Sequence, residues 1–195
     1  ISIIGLGSGA DRPKLTFSAV DATVVISAAS VNLKNIIVIP SIDSVVSPIV
    51  VSGADCTLDI EVQDASATVE FVRAVLTTAG ADRLNVKIRH RGFIAGNACV
   101  NSIRLVGVDT AKVDVDFYGV ASTSIVEFHT TACHDIDISG KFYNNGTSLT
   151  KNVVDTITGS TWSAQGWDGN SNANFSGGDN AALASDDVTA LSNKI

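Results

Sequence analysis

Apolar and polar positions alternate in short runs that return at a nearly constant interval along the chain. An apolar strand, a corner of small residues and a second alternating strand recur about every 26 residues. Periods of this size are typical of a solenoid or of an array of repeats. The pattern predicts a stack of β-coils. The corners begin with apolar residues spaced by 25, 25, 29, 23 and 29 positions: Ile26, Val51, Leu76, Leu105, Phe128 and Ile157.

The strand that follows each corner has a period of two. After the second corner, Leu58, Ile60 and Val62 alternate with Asp59 and Glu61. Because successive side chains of a strand point to opposite faces, we expect the apolar set in the core and the polar set in water. A basic rung beside acidic rungs predicts cross-strand ion pairs. The outward positions expected in the later coils are Asn85, Lys87, Arg89, Asp114, Asp116, Asp135 and Asp137.

These features predict an all-β fold, a single-stranded parallel β-helix of about six to seven coils. Two other repeat folds are excluded. A leucine-rich repeat would need a dense leucine register with an Asn ladder, and a propeller blade would need four strands in about 40 residues; the sequence has neither. Near Asp168 the sequence becomes polar and rich in turn residues. We therefore assign residues 1–168 to the β-helix and 169–195 to a C-terminal cap or arm.

Composition narrows the functional classes. The 195 residues are 45% hydrophobic but only 6% aromatic, so the core must be built mainly from Val, Ile, Leu and Ala. The formal charge of -7 argues against a general nucleic-acid-binding surface. No apolar run approaches the roughly 20 residues of a membrane helix. Three cysteines, an odd number, indicate small buried side chains rather than a disulfide framework.

The outward aspartates are the first candidates for chemistry. Two carboxylates about 5 Å apart suit a retaining glycosidase, and crowded carboxylates also bind Ca²⁺. The simpler interpretation is a solvated strand face that carries register-setting charges. The tryptophan pair near the end of the coil stack is a second candidate, for a glycan groove. The interaction candidates are Asp114, Asp116, Asp135, Asp137, Trp162 and Trp167.

Other motifs give no catalytic, cofactor or metal site. His129, Cys133 and His134 lie close together in sequence, but no second cluster completes a four-ligand zinc site. Ser8 lacks the Gly-x-Ser-x-Gly spacing of a nucleophile elbow. Arg89, His90 and Arg91 form a small basic run at the end of a strand, where they would neutralise nearby acids or hold an anion. We predict no enzyme activity and no cofactor.

The chain resembles the right-handed β-helix virion proteins of tailed bacteriophages. The likeness is carried by the glycine-rich opening at residues 5–13, by the Val/Ile-rich coils, and by Phe175–Gly178 with the segment 181–187. It implies a right-handed solenoid that either decorates and cements the capsid or forms the shaft of a tail spike, usually as a homotrimer. Depolymerising tail spikes are longer and have an aromatic-lined groove, so the resemblance favours the structural role.

The resulting expectation is a non-enzymatic virion protein on the capsid surface. Its partners would be the major capsid protein or other virion subunits, without nucleic acid or membrane. The alternative is a tail spike or tail fibre that binds or cleaves a host surface glycan. A secreted adhesin or a lyase-like β-helix is a third possibility. The absence of an initiator Met suggests a processed chain, in which any leader would be out of view.

Overall fold

A computed structural model describes residues 1–93, 97–144, 151–168 and 174–177 of the chain. This part is built from parallel β-strands, with one short 3-10 helix at Gly9–Asp11. The strands are β1 (Ser2–Ile4), β2 (Lys14–Phe17), β3 (Val24–Ile26), β4 (Asn32–Pro40), β5 (Ile49–Val51), β6 (Thr57–Gln63), β7 (Arg73–Thr77), β8 (Leu84–Arg91), β9 (Asn101–Leu105), β10 (Asp109–Gly119), β11 (Val126–Phe128), β12 (His134–Asn144), β13 (Lys151–Asp155), β14 (Trp162–Asp168) and β15 (Asn174–Gly177).

The strands form two sheets that run along the length of the molecule. Sheet A has the order β1-β4-β6-β8-β10-β12-β14, with β2 also paired to β4, and sheet B has the order β3-β5-β7-β9-β11-β13-β15. Each turn of the chain therefore adds one strand to each sheet, and neighbouring strands are parallel. The result is a β-solenoid of about six turns, which confirms the predicted all-β parallel β-helix.

The core lies between the two sheets and consists of columns of like side chains. In sheet A, Leu58, Val86, Val113 and Ile138 occupy matching positions on successive strands, and each is at most 1% exposed. Branched side chains pack well on a pleated surface, and stacking equivalent coils repeats the same packing along the axis. The period-two alternation of the sequence is confirmed in these strands.

At two corners the strand partners differ from those expected when the corners are aligned on their leading apolar residues. Val51 pairs with Thr77 rather than with Leu76, and Phe128 pairs with Asp155 rather than with Ile157. Both polar side chains are buried, because each accepts a hydrogen bond from a backbone amide at a corner. Thr77 Oγ1 accepts a 2.8 Å hydrogen bond from the Val106 amide, and Asp155 Oδ1 accepts one of 2.9 Å from the Ile157 amide. Hydrophobicity alone therefore gave the wrong register here.

Near the start of each of the strands β4, β6, β8, β10 and β12, one residue lies in the left-handed region. Short polar side chains tolerate this conformation better than branched apolar ones. The turns before β6 and β8 are also joined by an exposed ion pair, in which Arg83 Nε lies 2.7 Å from Asp55 Oδ1 and Nη2 lies 2.8 Å from Oδ2. This hydrogen bond from Arg83 lowers the pKa of Asp55. The left-handed residues are Ser30, Asp55, Arg83, Thr110 and Asp135, with φ between 52° and 62°.

The C-terminal segment is only partly described. Asn174–Gly177 lies beyond the boundary expected at residue 168, and it extends sheet B by pairing with β13. The remainder of the predicted cap or arm, 169–173 and 178–195, lies outside the described residues. Cys56, Cys99 and Cys133 are all free and buried, as predicted.

Candidate functional site

The outer face of sheet A carries charges of opposite sign on successive strands. In one column Lys34, Asp59, Lys87, Asp114 and Ser139 occupy matching positions. In the next column the matching residues are Glu61, Arg89, Asp116 and Lys141. Because the sign alternates from strand to strand, like charges are not placed opposite each other in these columns, and the arrangement favours one register.

Ion pairs connect these columns, as the sequence predicts. Lys87 Nζ lies 3.7 Å from Asp114 Oδ2. Arg89 lies 3.5 Å from Asp59 and 3.8 Å from Glu61. Such exposed pairs each contribute roughly 0 to 1 kcal/mol, so they set the register more than the stability.

Glu61 is the best-buried acid of this face. Its carboxylate accepts hydrogen bonds of 2.6 Å from both Arg12 and Gln63. Burial alone would raise the pKa of Glu61, but the hydrogen bonds and the charges of Arg12 and Arg89 outweigh it and lower the pKa. Arg12, in the turn that begins with the glycine-rich segment, is thereby tied to the second coil.

The four candidate aspartates do not form one carboxylate cluster. Asp114 and Asp116 are flanked in register by Lys87 and Arg89 on one side and by Ser139 and Lys141 on the other. Asp137 matches Lys112 and accepts a 2.9 Å hydrogen bond from the Ser163 hydroxyl. Asp135 is the left-handed corner residue, between the register pairs formed by His134 and Ile136. The neighbouring-rung arrangement considered for a glycosidase or a Ca²⁺ site is not assembled.

Asp114 and Asp116 instead line a shallow depression of about 390 Å³ on the outer face of sheet A. The lining also contains Gly140, at φ 146°. Three cationic and two anionic side chains surround the depression, so it has one positive charge in excess on a protein of net charge -7. The lining residues are Lys87, Ile88, Arg89, Asp114, Asp116, Gly140 and Lys141.

Two tyrosines stand beside the depression. Tyr118 and Tyr143 follow Asp116 and Lys141 by two residues, so they lie on the same face of their strands. Their rings are stacked, with centroids 5.1 Å apart and planes 14° apart. Tyr118 is 41% exposed, although tyrosine normally buries most of its ring. The two tyrosines are distant in sequence, and the strand register brings them together.

Trp162 is a core residue. It is 4% exposed, its ring stacks on Phe128 at 5.7 Å, and its indole nitrogen is hydrogen-bonded to Asp155. Trp162 therefore lies in the core and does not line the glycan groove that was expected at the tryptophan pair. The backbone of Trp167 matches Lys141 in register, but its side chain lies outside the described part of the chain.

The basic run at the end of β8 is divided between the two faces. Arg89 and Arg91 face outward, and Arg91 Nη2 lies 3.1 Å from Asp116 Oδ2. His90 is 1% exposed and continues the inward set of β8. Its Nδ1 shares a 3.1 Å hydrogen bond with Ser102 Oγ, and its Nε2 lies 3.7 Å from Asp64 Oδ1. The expectation of one basic patch is therefore wrong for His90.

This Ser-His-Asp arrangement resembles a catalytic triad in composition but not in access. Ser102 has no exposed surface, and the His90 ring packs edge-on against Phe117 at 4.9 Å. A nucleophile must be reachable by its substrate, so the three residues form a buried polar contact between coils. The inward period of two in β8 was the available signal for His90.

Acidic groups gather beside this contact. Glu70 is 7% exposed, and burial together with the charges of Asp43 and Asp64 raises the pKa of Glu70 to about 7. A hydrogen bond with Asn97 acts in the opposite direction. Within the described ranges, no group of three His, Cys, Asp or Glu side chains is arranged to hold a metal ion. Cys133 faces the core, and His129 instead contacts Glu127 at 3.4 Å.

The first coil exposes its apolar side chains at one end of the solenoid. The column that contains Leu33 and Leu58 begins at Ile3, which is 52% exposed because no other strand of the described residues covers it. We call the exposed apolar residues of this coil the first-coil patch. They are 50% to 84% exposed and comprise Ile1, Ile3, Ile4, Leu6, Val20 and Val25.

The outer face of sheet B contains a compact charged cluster. Arg104 Nε donates a 2.7 Å hydrogen bond to Glu127 Oε2, and the Asn101 amide donates to the same oxygen. The Arg73 guanidinium donates only to Ser47 Oγ among the described residues, and its buried Nε has no partner there. Burial and the nearby Arg104 lower the pKa of Arg73. One carboxylate thus faces two guanidinium groups.

Comparisons with known proteins found no matching family, no similar curated protein and no similar solved structure. Within the described ranges, no helix is long and apolar enough to cross a membrane.

Proposed function

We propose that this chain is a non-enzymatic structural protein that seats its first coil on another subunit of a larger assembly. The first-coil patch carries the proposal. Solenoid ends need a covering element, because each coil buries its inner face only against its neighbours. Here the core column ends at the half-exposed Ile3, and no described strand pairs with the outer edges of β1, β2 and β3.

The resemblance of the sequence suggests which assembly this is. In the proposed role the protein decorates or cements the capsid surface of a tailed bacteriophage, as a homotrimer, and the major capsid protein covers the first coil. Two parallel sheets with continuous hydrogen bonding along the axis would give a stiff body suited to standing on a shell. The charged outer face of sheet A would then point to solvent.

The test is binding to capsids that lack the chain. The wild-type chain should co-sediment with them saturably, whereas Ile4→Asp and Leu6→Asp should lose binding, because a charge would have to be buried in the contact. The control Phe93→Asp changes another exposed apolar residue, 44% exposed, which follows β8 and lies outside the first coil. Unchanged binding of both patch variants, or particles that never contain the chain, would overturn the proposal. Cryo-electron microscopy of the intact particle would locate the chain on the shell or on the tail.

A tail spike or fibre that binds host glycan is the second candidate. It is favoured by one observation, the charged depression with the stacked Tyr118 and Tyr143 beside it. Particle density confined to the tail, rather than repeated over the shell, would favour this role.

A further inference from the structure

We propose that the depression on the outer face of sheet A binds an acidic saccharide, one with a carboxylate or sulfate group on the sugar ring. This proposal is independent of the docking of the first coil. It rests on the shape, charge and aromatic neighbours of the depression, which are carried by β8, β10 and β12.

The excess positive charge supplies the anion selectivity. Asp114 lies near Lys87, and Asp116 is paired with Arg91. Lys141 has no salt-bridge partner among the residues that the structure describes, although it matches Asp116 in register. An anionic group of a ligand could therefore approach Lys141 without displacing an existing ion pair.

The two carboxylates suit the hydroxyl groups of a sugar. Asp114 and Asp116 present acceptor oxygens at two positions of one strand, about 6 to 7 Å apart along it. Ionised carboxylates accept strong hydrogen bonds, so neighbouring hydroxyls of one pyranose ring would find partners here. A simple inorganic anion would gain nothing from these two acids, which would repel it.

The tyrosine pair supplies an apolar wall. Tyr118 and Tyr143 begin where the charged lining ends, and their mutual stacking fixes both rings. Sugar rings have C–H faces that pack against aromatic groups, and the phenol hydroxyls can also donate or accept hydrogen bonds. A rigid wall requires little ordering on binding, which favours affinity.

The site is built on a sheet rather than on loops. Its side chains come from three adjacent strands whose register is set by the alternating charges and by the buried columns below. The Cβ of any other residue at position 140 would overlap the Val115 carbonyl of β10, so glycine is required by the close approach of the two strands.

Calorimetry with the full chain tests the proposal. The probes are an oligogalacturonate and a sulfated dextran oligosaccharide, with a fully methyl-esterified oligogalacturonate as the neutral match and polyglutamate as a polyanion without sugar rings. We expect binding of at least one acidic saccharide, and at least about tenfold weaker binding of the neutral match and of polyglutamate. The preferred acidic probe identifies the anionic group.

Variants then locate the binding. Lys141→Ala and Tyr118→Ala should each weaken it by about tenfold, as expected for the loss of a charge-assisted hydrogen bond or of an aromatic contact. Lys112→Ala is the matched control, because Lys112 is an exposed lysine of β10 outside the depression. Tyr118→Phe keeps the ring and should retain most of the affinity. Circular dichroism and thermal melting establish that each variant is folded.

Three results would overturn the proposal of saccharide binding. Equal binding of polyglutamate and acidic saccharide, or an equal effect of Lys112→Ala and Lys141→Ala, would show attraction by charge alone and would overturn the proposal. Binding of neither acidic saccharide would overturn it as well. Because the first-coil patch is unchanged in all these variants, capsid co-sedimentation would fail or succeed independently.

Discussion

The indole nitrogen of Trp162 donates a 3.0 Å hydrogen bond to Oδ2 of Asp155, deep between the two sheets. Asp155 is 6% exposed and also accepts a hydrogen bond from the Ile157 amide. The contact joins the end of a sheet B strand to the start of the next sheet A strand. A buried carboxylate is tolerated here because both of its oxygens have partners.

Trp162→Phe should therefore lower the free energy of unfolding by about 1 to 3 kcal/mol. Phenylalanine retains an aromatic ring against Phe128 but leaves Asp155 Oδ2 without its donor. Urea unfolding followed by circular dichroism would measure the change. The double variant with Asp155→Asn should recover part of the loss, because a neutral amide is less costly to leave unpaired than a carboxylate.

Ser163→Ala is the control for this measurement. Ser163 donates to Asp137 on the exposed face of sheet A, so its loss should change stability by no more than about 0.5 kcal/mol. Equal stability of Trp162→Phe and Ser163→Ala would contradict a structural role for the buried hydrogen bond.

Gly140 should not tolerate a side chain. An added Cβ would overlap the Val115 carbonyl of the neighbouring strand, and φ of 146° is itself unfavourable for other residues. We expect Gly140→Ala to cost more than about 2 kcal/mol. Gly9→Ala provides the comparison, since Gly9 also has a positive φ but nothing lies within 4 Å of its added Cβ. A cost of about 1 kcal/mol is expected there.

Thermal and urea unfolding of both glycine variants would separate conformational strain from steric overlap. If Gly140→Ala were no less stable than Gly9→Ala, the close approach of β10 and β12 at this position would be wrong.

The fold could be predicted from the sequence because one face of each strand is exposed to solvent and the other is buried, which leaves an alternating pattern. Each strand that has one wet face must alternate, and Leu58, Ile60 and Val62 show this directly. The period of about 26 residues then requires neighbouring coils to stack. His90 was equally accessible to this reasoning, since it continues the inward series of Leu84, Val86 and Ile88; its charge type obscured the pattern.

The candidate site could be predicted only in part. Asp114 and Asp116 were correctly placed on the outer face, but their neighbours depend on how many residues each corner uses. One extra left-handed residue, such as Asp135, moves the following strand and decides whether Asp114 opposes Ser139 or another acid. The stacking of Tyr118 on Tyr143 follows from the same register. Buried polar residues that bind the backbone of a corner, such as Asp155, are not marked by hydrophobicity and could not be recognised from the pattern.

Glu70 should make stability depend on pH in an unusual direction. Its pKa is raised from 4.5 to about 7 in the folded protein, so the folded state holds a proton that the unfolded state has lost. Stability from this group therefore falls as the pH rises from about 4.5 to about 7. Glu70→Gln removes the effect, and it should stabilise the protein by about 2 to 3 kcal/mol more at pH 8 than at pH 5.

Urea unfolding at several pH values between 3 and 8 would test this dependence. Glu61→Gln is a control of opposite sign, because the pKa of Glu61 is lowered in the folded protein. Its stabilising contribution is present at neutral pH and is lost as the pH falls through the lowered pKa. Parallel stability profiles for wild type and Glu70→Gln would contradict the buried position of Glu70 beside Asp43 and Asp64.

The two arginines on the outer face of sheet B should respond differently to substitution. Arg104 neutralises Glu127 directly, so Arg104→Met would leave a nearly buried carboxylate with its hydrogen bond from Asn101, the His129 contact and the more distant charge of Arg73. A loss of about 1 to 3 kcal/mol is expected. The Arg73 guanidinium donates only to Ser47 among the described residues, and burial and repulsion from Arg104 outweigh the attraction by Glu127, so Arg73→Met should leave stability unchanged or raise it by about 1 kcal/mol.

Methionine is chosen for both sites because it keeps an apolar stem of similar length, which separates charge from packing. Urea unfolding gives the stability, and sedimentation velocity gives the association state of each variant. If neighbouring copies meet through sheet B in the proposed homotrimer, a carboxylate of the next copy would neutralise Arg73. Arg73→Met would then weaken association even though the single chain is as stable as before. Equal destabilisation by both substitutions would instead mean that Arg73 is already neutralised within its own chain.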